Sequence, residues 1–261
     1  MDNSESQGKP LPKVAKYDFV AEPFHCDFGD RLFMGHLGNA MLNAADFHSN
    51  ERGYGMHYLN TVHRTWVLSR LAMEMSERPK AYDRFSIETW VDAVMRFFTS
   101  RNFSVLSGDD GRVIGHGRSI WAMIDVETRH PVNLFDVRGG LIRDYVDADR
   151  TVPMEKPSHV RLDGGETIVR SLDTYYSDVD PNGHVNSVRY IEHVLDLFPI
   201  DHYRTHALRR FEIAYVAEGH EGDRLNFYRG KPLSGEYVVR ITKGRADETE
   251  VARCRLCFAK I

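Results

Sequence analysis

An internal duplication constrains this chain more than any other feature. Asp30-Arg-Leu-Phe-Met-Gly35-His36-Leu37 lies 148 residues before Asp178-Val-Asp-Pro-Asn-Gly183-His184-Val185, and a helical pattern follows each. Arg64-Thr-Trp-Val-Leu lies 145 residues before Arg209-Arg-Phe-Glu-Ile, and Asp83-Arg84-Phe85 lies 140 before Asp223-Arg224-Leu225. A common order with a slowly shrinking offset is what two copies with slightly different loops give. Each copy reads as a strand, a helix, then several strands. The first helix, near residues 37–49, is rich in Ala40, Met41, Leu42, Ala44 and Ala45, which suits close seating on a sheet. Phe85, Ile87, Thr89 and Val91 then alternate with Ser86, Glu88, Trp90 and Asp92, the period of a strand. Gly108-Asp-Asp-Gly111 marks a hairpin, and 230–235 and 244–247 mark the turns of the second copy. A helix wrapped by an antiparallel sheet, twice over, makes the fold class α+β. The expected division is a disordered terminus over 1–13, modules over 14–145 and 166–261, and a Pro- and Gly-bearing linker over 146–165.

Composition narrows the function classes. The 42% hydrophobic and 28% charged content is that of a globular protein, and no stretch approaches the ~18 apolar residues of a membrane span. The polar N-terminus lacks a signal-peptide core, and three cysteines fit a reducing compartment, so a cytoplasmic protein is expected. A net charge of −4 gives no reason to expect nucleic acid as a partner. Cys254 and Cys257 have Cys-x-x-Cys spacing, but on a strand that offset puts the thiols on opposite faces. No metal site is expected.

The second copy carries the chemistry. Asp180, Asn182 and His184 set a carboxylate, an amide and an imidazole at alternate positions in a turn broken by Pro181 and Gly183. Asn186 is a good helix N-cap, and Val188, Ile191, Leu195 and Phe198 form an apolar stripe of period about 3.6. Free N–H groups and the helix dipole at such an N-terminus favour a developing oxyanion. Any one of these side chains is commonly a cap or turn former; four in one turn exceed what a cap needs. In the first copy Leu32 and Met34 stand at the positions of Asp180 and Asn182. His36 matches His184 without partners and reads as structural. One catalytic site per chain follows, with the apolar copy free to line a pocket.

Asp178-Val-Asp180-Pro-Asn182-Gly-His184-Val-Asn186-Ser-Val-Arg-Tyr190-Ile resembles the signature of the acyl-carrier-protein (acyl-ACP) thioesterases of plants and bacteria. Gly35-His36-Leu37-Gly38-Asn39, Ser86-Ile87-Glu88-Thr89-Trp90-Val91 and Arg118-Ser-Ile-Trp121-Ala-Met-Ile124 are similar to that family's N-terminal half. The resemblance covers roughly residues 15–260. It implies two tandem hotdog modules and hydrolysis of fatty acyl-ACP to free fatty acid and holo-ACP, with no cofactor. The implied partner is an acyl carrier protein bearing a fatty acyl chain, and a homodimer is left open. The family typically has a Glu-Cys pair after the strand that follows the catalytic helix. Glu218 matches that Glu, whereas Gly219 stands where the Cys is commonly found, which weighs against a cysteine nucleophile. The expected catalytic set is therefore Asp180, Asn182, His184 and Glu218, with Glu218 activating water and the base role not divided between it and Asp180. Arg204, Arg209 and Arg210 are candidates for docking an acidic carrier. The rival readings are acyl-CoA hydrolysis, hotdog-type hydration or dehydration, and non-catalytic acyl binding; the intact polar set in the second copy argues against the last.

Overall fold

The computed structural model describes residues 10–246 and 248–261. The first copy folds as β1 (Ala15–Val20), α1 (Met34–Glu51), a single turn α2 (Met56–Leu59), β2 (Arg64–Met75), β3 (Arg84–Val94), β4 (Phe98–Ser107) and β5 (Val113–Asp125). The second gives β6 (Thr167–Asp173), α3 (Ser187–Leu195), α4 (Ile200–Thr205), β7 (His206–Tyr215), β8 (Arg224–Arg229), β9 (Glu236–Lys243) and β10 (Thr249–Lys260). All ten strands among the described residues join one sheet, in the order β1-β3-β4-β5-β2-β7-β10-β9-β8-β6. Read outward from the centre, each strand of the first half matches the strand five later in the second. The duplication is thus a pseudo-two-fold arrangement centred on β2 and β7, which pair antiparallel from Arg70–Ala214 to Glu74–Arg210. Leu71–Met73 and Phe211–Ala214 are buried without alternation, as strands covered on both faces must be.

One face of the sheet carries both long helices. Leu37, Met41, Ile191 and Val194 pack with Leu71, Met73, Phe103, Phe211 and Phe227 in a single core that runs through both copies. Small residues let the helices meet: a Cβ on Gly35 would lie 3.0 Å from Glu192 Cγ, and one on Gly38 would lie 3.2 Å from Met73 Sδ. The apolar stripe outlasts its helix. α3 ends at Leu195, and Phe198 packs from the next turn against Tyr237 and Phe258, with ring centroids 4.9 and 5.1 Å away.

The opposite face is covered too, which strand alternation alone does not reveal. Trp90 is wholly buried against Ala72, Val152 and Met154, and its Nε1 donates to Arg150 O at 3.0 Å. Glu212 on β7 is wholly buried, yet Arg255 Nη2 donates to it at 2.7 Å and the Ser158 N–H donates as well. Burial alone would raise this carboxyl's pKa; the Ser158 and Arg255 donors hold it below the usual value. The inter-module connection therefore forms a layer across the sheet. Of the terminus expected to be disordered, residues 1–9 lie outside the described residues. Pro12 O, by contrast, accepts from Arg52 Nη2 at 2.7 Å, and Lys13 O lies 2.9 Å from His48 Nε2. Asp247, at the end of the last turn, also lies outside them. No described helix is long and apolar enough to cross a membrane.

Candidate active site

The turn before α3 is built by its own polar side chains. Asp180 Oδ1 accepts from the Asn182 N–H at 2.8 Å and the His184 N–H at 3.3 Å, while the Asp180 N–H donates to His184 O at 2.9 Å. Gly183 has φ +80°, the left-handed region where a side chain is strained. Asn186 caps α3 as expected, its Oδ1 accepting the Val188 N–H at 2.9 Å. The Val185 N–H then donates to Gly219 O at 2.8 Å, which ties the turn to the segment leaving β7. Lys243 Nζ on β9 holds Glu218 O at 2.7 Å.

These ties bring Glu218 to His184, with Nε2 and Oε2 3.3 Å apart. The other Glu218 oxygen accepts from Arg129, which comes from the hairpin after β5 in the first copy. A cavity of about 860 Å³ is lined by Asp180, Asn182, His184 and Glu218, with Arg129 and Tyr190. A smaller pocket of about 180 Å³ lies within the first copy, lined by Ala45 and Ser49 of α1, Trp121 of β5 and the buried Arg101. Met56, Thr65, Trp66 and Asn182 border both spaces.

All four residues expected from sequence therefore meet at one cavity. Their first-copy counterparts do not join them: Leu32 and Met34 are 3% and 1% exposed in the core and line neither space. Met41 and Leu42 line neither space either. His36 stacks on His25 at 3.9 Å and lies 3.8 Å from Glu192. Arg210 is no docking residue, being buried against Glu74 at 3.0 Å and Glu212 at 3.4 Å. Arg204 and Arg209 are exposed. Sequence reasoning missed Arg129 and Tyr190 as members of the site. Arg129 stands 89 positions from Glu218, and no local pattern links them.

Position 219 explains itself sterically. A Cβ on Gly219 would lie 2.4 Å from the Tyr190 hydroxyl and 3.1 Å from Val185 Cγ2. The three cysteines are unpaired, and none lines either space. Burial pushes the Cys257 thiol up to about 11 and holds that of Cys254 well above the usual thiol value. Among the described residues, His184, Glu218 and His220 offer metal-ligand atoms within 4.8 Å of one another, but Arg129 already neutralises the carboxylate among them.

Fold and site together define a double hotdog protein with its polar machinery in the second module and a pocket opening into the first. This chain belongs to the acyl-ACP thioesterase family: the model of the family's N-terminal domain matches residues 13–137, and that of the C-terminal domain matches residues 163–255. The crystal structure of an acyl-ACP thioesterase from Bacteroides thetaiotaomicron is 49% identical and superposes with a TM-score of 0.87, over 95% of this chain and 98% of that one. The palmitoyl-acyl carrier protein thioesterase of Gossypium hirsutum is 27% identical over 59% of this chain and 38% of its own length. The oleoyl-acyl carrier protein thioesterase 2 of Arabidopsis thaliana is 25% identical over 91% of this chain and 68% of its own length. The chain thus spans little more than a third of the first of these plant relatives and about two thirds of the second.

Proposed function

We propose that this protein hydrolyses fatty acyl-ACP to free fatty acid and holo-ACP. The observation that carries the reading is the meeting of Asp180, Asn182, His184 and Glu218 at one cavity, with Asn182 also bordering the pocket of the first module. The acyl chain enters that pocket past Trp66 and Met56, and the thioester carbon stops beside Asn182. Glu218 takes a proton from water, whose oxygen attacks the carbonyl carbon. The N-terminal end of α3 and Asn182 stabilise the oxyanion. When the tetrahedral intermediate collapses, the C–S bond breaks and the thiolate recovers the proton from Glu218. His184 orients Glu218 through their 3.3 Å contact. Asp180 acts through the turn, because its Oδ1 is engaged by two backbone N–H groups.

The carrier protein is the proposed partner, the cytoplasm the proposed compartment, and a homodimer the proposed assembly. Modules spanning 14–145 and 166–261 divide the labour between pocket and chemistry. The test is thiol release from a matched panel of acyl-ACPs and acyl-CoAs, C8 to C18. Release from acyl-ACPs at higher kcat/KM supports the proposal; a preference for acyl-CoA reassigns the carrier. Absence of release from every member overturns the reading.

A further inference from the structure

We propose that His184, Glu218 and His220 form a binding site for a divalent transition ion of the zinc type, and that an ion bound there inhibits hydrolysis. The inhibition rests on the hydrolase reading above; the binding does not. His184 Nε2 and Glu218 Oε2 lie 3.3 Å apart. In a tetrahedral zinc site, bonds of about 2.0–2.1 Å set the ligand atoms roughly 3.3–3.4 Å from one another, so this pair already has the required separation. A ring nitrogen of His220 lies within 4.8 Å of both. The His184 and His220 rings meet edge-on at 5.1 Å. The His220 side chain is 53% exposed, so its rotation brings the third ligand in without repacking the core.

The neighbouring charges leave room for a cation. Arg129 takes Glu218 Oε1, whereas Oε2 faces His184 and keeps a lone pair for the ion. Lys243 Nζ is engaged by Glu218 O at 2.7 Å and by Asp223 Oδ2 at 3.4 Å. Asp223 Oδ2 also lies 4.0 Å from His220 Nδ1, the place of a carboxylate that orients a ligating imidazole and raises its basicity. With Nδ1 turned to Asp223, the ring offers Nε2 to the ion. Two imidazoles and one carboxylate favour zinc and its transition-metal neighbours, whereas magnesium and calcium favour oxygen ligands. His184 and Glu218 both line the large cavity and are partly exposed, so an ion reaches them from solvent. Once bound, it occupies the carboxylate that takes the proton from water, and the base is lost.

The experiment measures zinc binding and hydrolysis separately on the full chain. Equilibrium dialysis of wild type against zinc should give one ion per chain, lost in both His220→Asn and Glu218→Gln. Zinc held at the thiols or at other histidines would persist in both variants, and that result would overturn the site. Hydrolysis of an acyl-ACP is followed by the fatty acid released, because zinc also binds the thiol product. Saturating zinc should lower wild-type kcat by on the order of 10², the scale of losing a general base, and EDTA should restore it. In EDTA, His220→Asn should match wild-type kcat within about twofold, and zinc should leave it uninhibited. Inhibition that persists in His220→Asn would overturn the proposal, as would zinc that raises wild-type kcat. If no acyl-ACP yields free fatty acid, the hydrolase reading and the inhibition fall, while the dialysis still decides the ion site.

Discussion

His184 Nε2 lies 3.3 Å from Glu218 Oε2, although 34 residues and the whole of α3, α4 and β7 separate them in sequence. The contact exists because Val185 and Gly219 are joined by a backbone hydrogen bond, so imidazole and carboxylate face each other across a closed seam. Removing the carboxylate should remove the base. Glu218→Gln is expected to lose on the order of 10²–10⁴ in kcat with little change in KM, measured as thiol release from acyl-ACP. Wild-type turnover in this variant would move the base elsewhere.

Asp180 offers a sharper distinction. Its Oδ1 is occupied by the N–H groups of Asn182 and His184, and an asparagine retains that oxygen. Asp180→Asn is therefore expected to stay within about tenfold of wild-type kcat, whereas Asp180→Ala and Asn182→Ala should each lose roughly 10². Should Asp180→Asn lose as much as Glu218→Gln, proton abstraction is shared between the two carboxylates.

Chain-length preference should respond to Ala45, which borders the first-module pocket on α1. Ala45→Leu narrows that pocket and should shift kcat/KM toward shorter acyl chains, by ~1–3 kcal/mol per excluded methylene. An unaltered profile across C8 to C18 would place the acyl chain in another space.

No cysteine borders the cavity, so the combined Cys26→Ser, Cys254→Ser, Cys257→Ser protein should keep kcat within about threefold of wild type. Cys254 is wholly buried, and a serine hydroxyl there should cost about 1–3 kcal/mol of stability. Rapid-quench analysis should find no acyl-enzyme. An acyl group trapped on any of the three thiols would replace water attack with a covalent route.

His48 predicts a pH dependence of stability. Its buried imidazole, beside the Arg101 guanidinium, is pushed down to about 2. The folded protein therefore binds no proton there between pH 6.5 and 2, whereas the unfolded chain does, so stability falls as pH drops through the unfolded value of 6.5. Well below 6.5 the contribution is about 1.4 kcal/mol per pH unit. Urea unfolding at pH 7, 6 and 5 should show this slope flattened by roughly one proton in His48→Gln. An identical slope in the variant would assign the proton uptake to another group.

The duplication, the helix and strand content, and the contrast between Asp180/Asn182 and Leu32/Met34 are legible in the residues alone. These features are local: a cap, a turn and an apolar stripe each depend on neighbours a few residues away. Glu218 was within reach only through family resemblance, since a carboxylate after a strand carries no pattern of its own. Which side chains share a cavity depends on how the strands and loops are brought together. Arg129 reaches Glu218 because β2 and β7 fuse two sheets into one, and Trp90 is buried because the linker crosses its face. Tyr190 and Gly219 fit each other because a backbone hydrogen bond from Val185 sets their separation. Such contacts arise from sheet order and chain crossing, and residue spacing along the chain does not encode them.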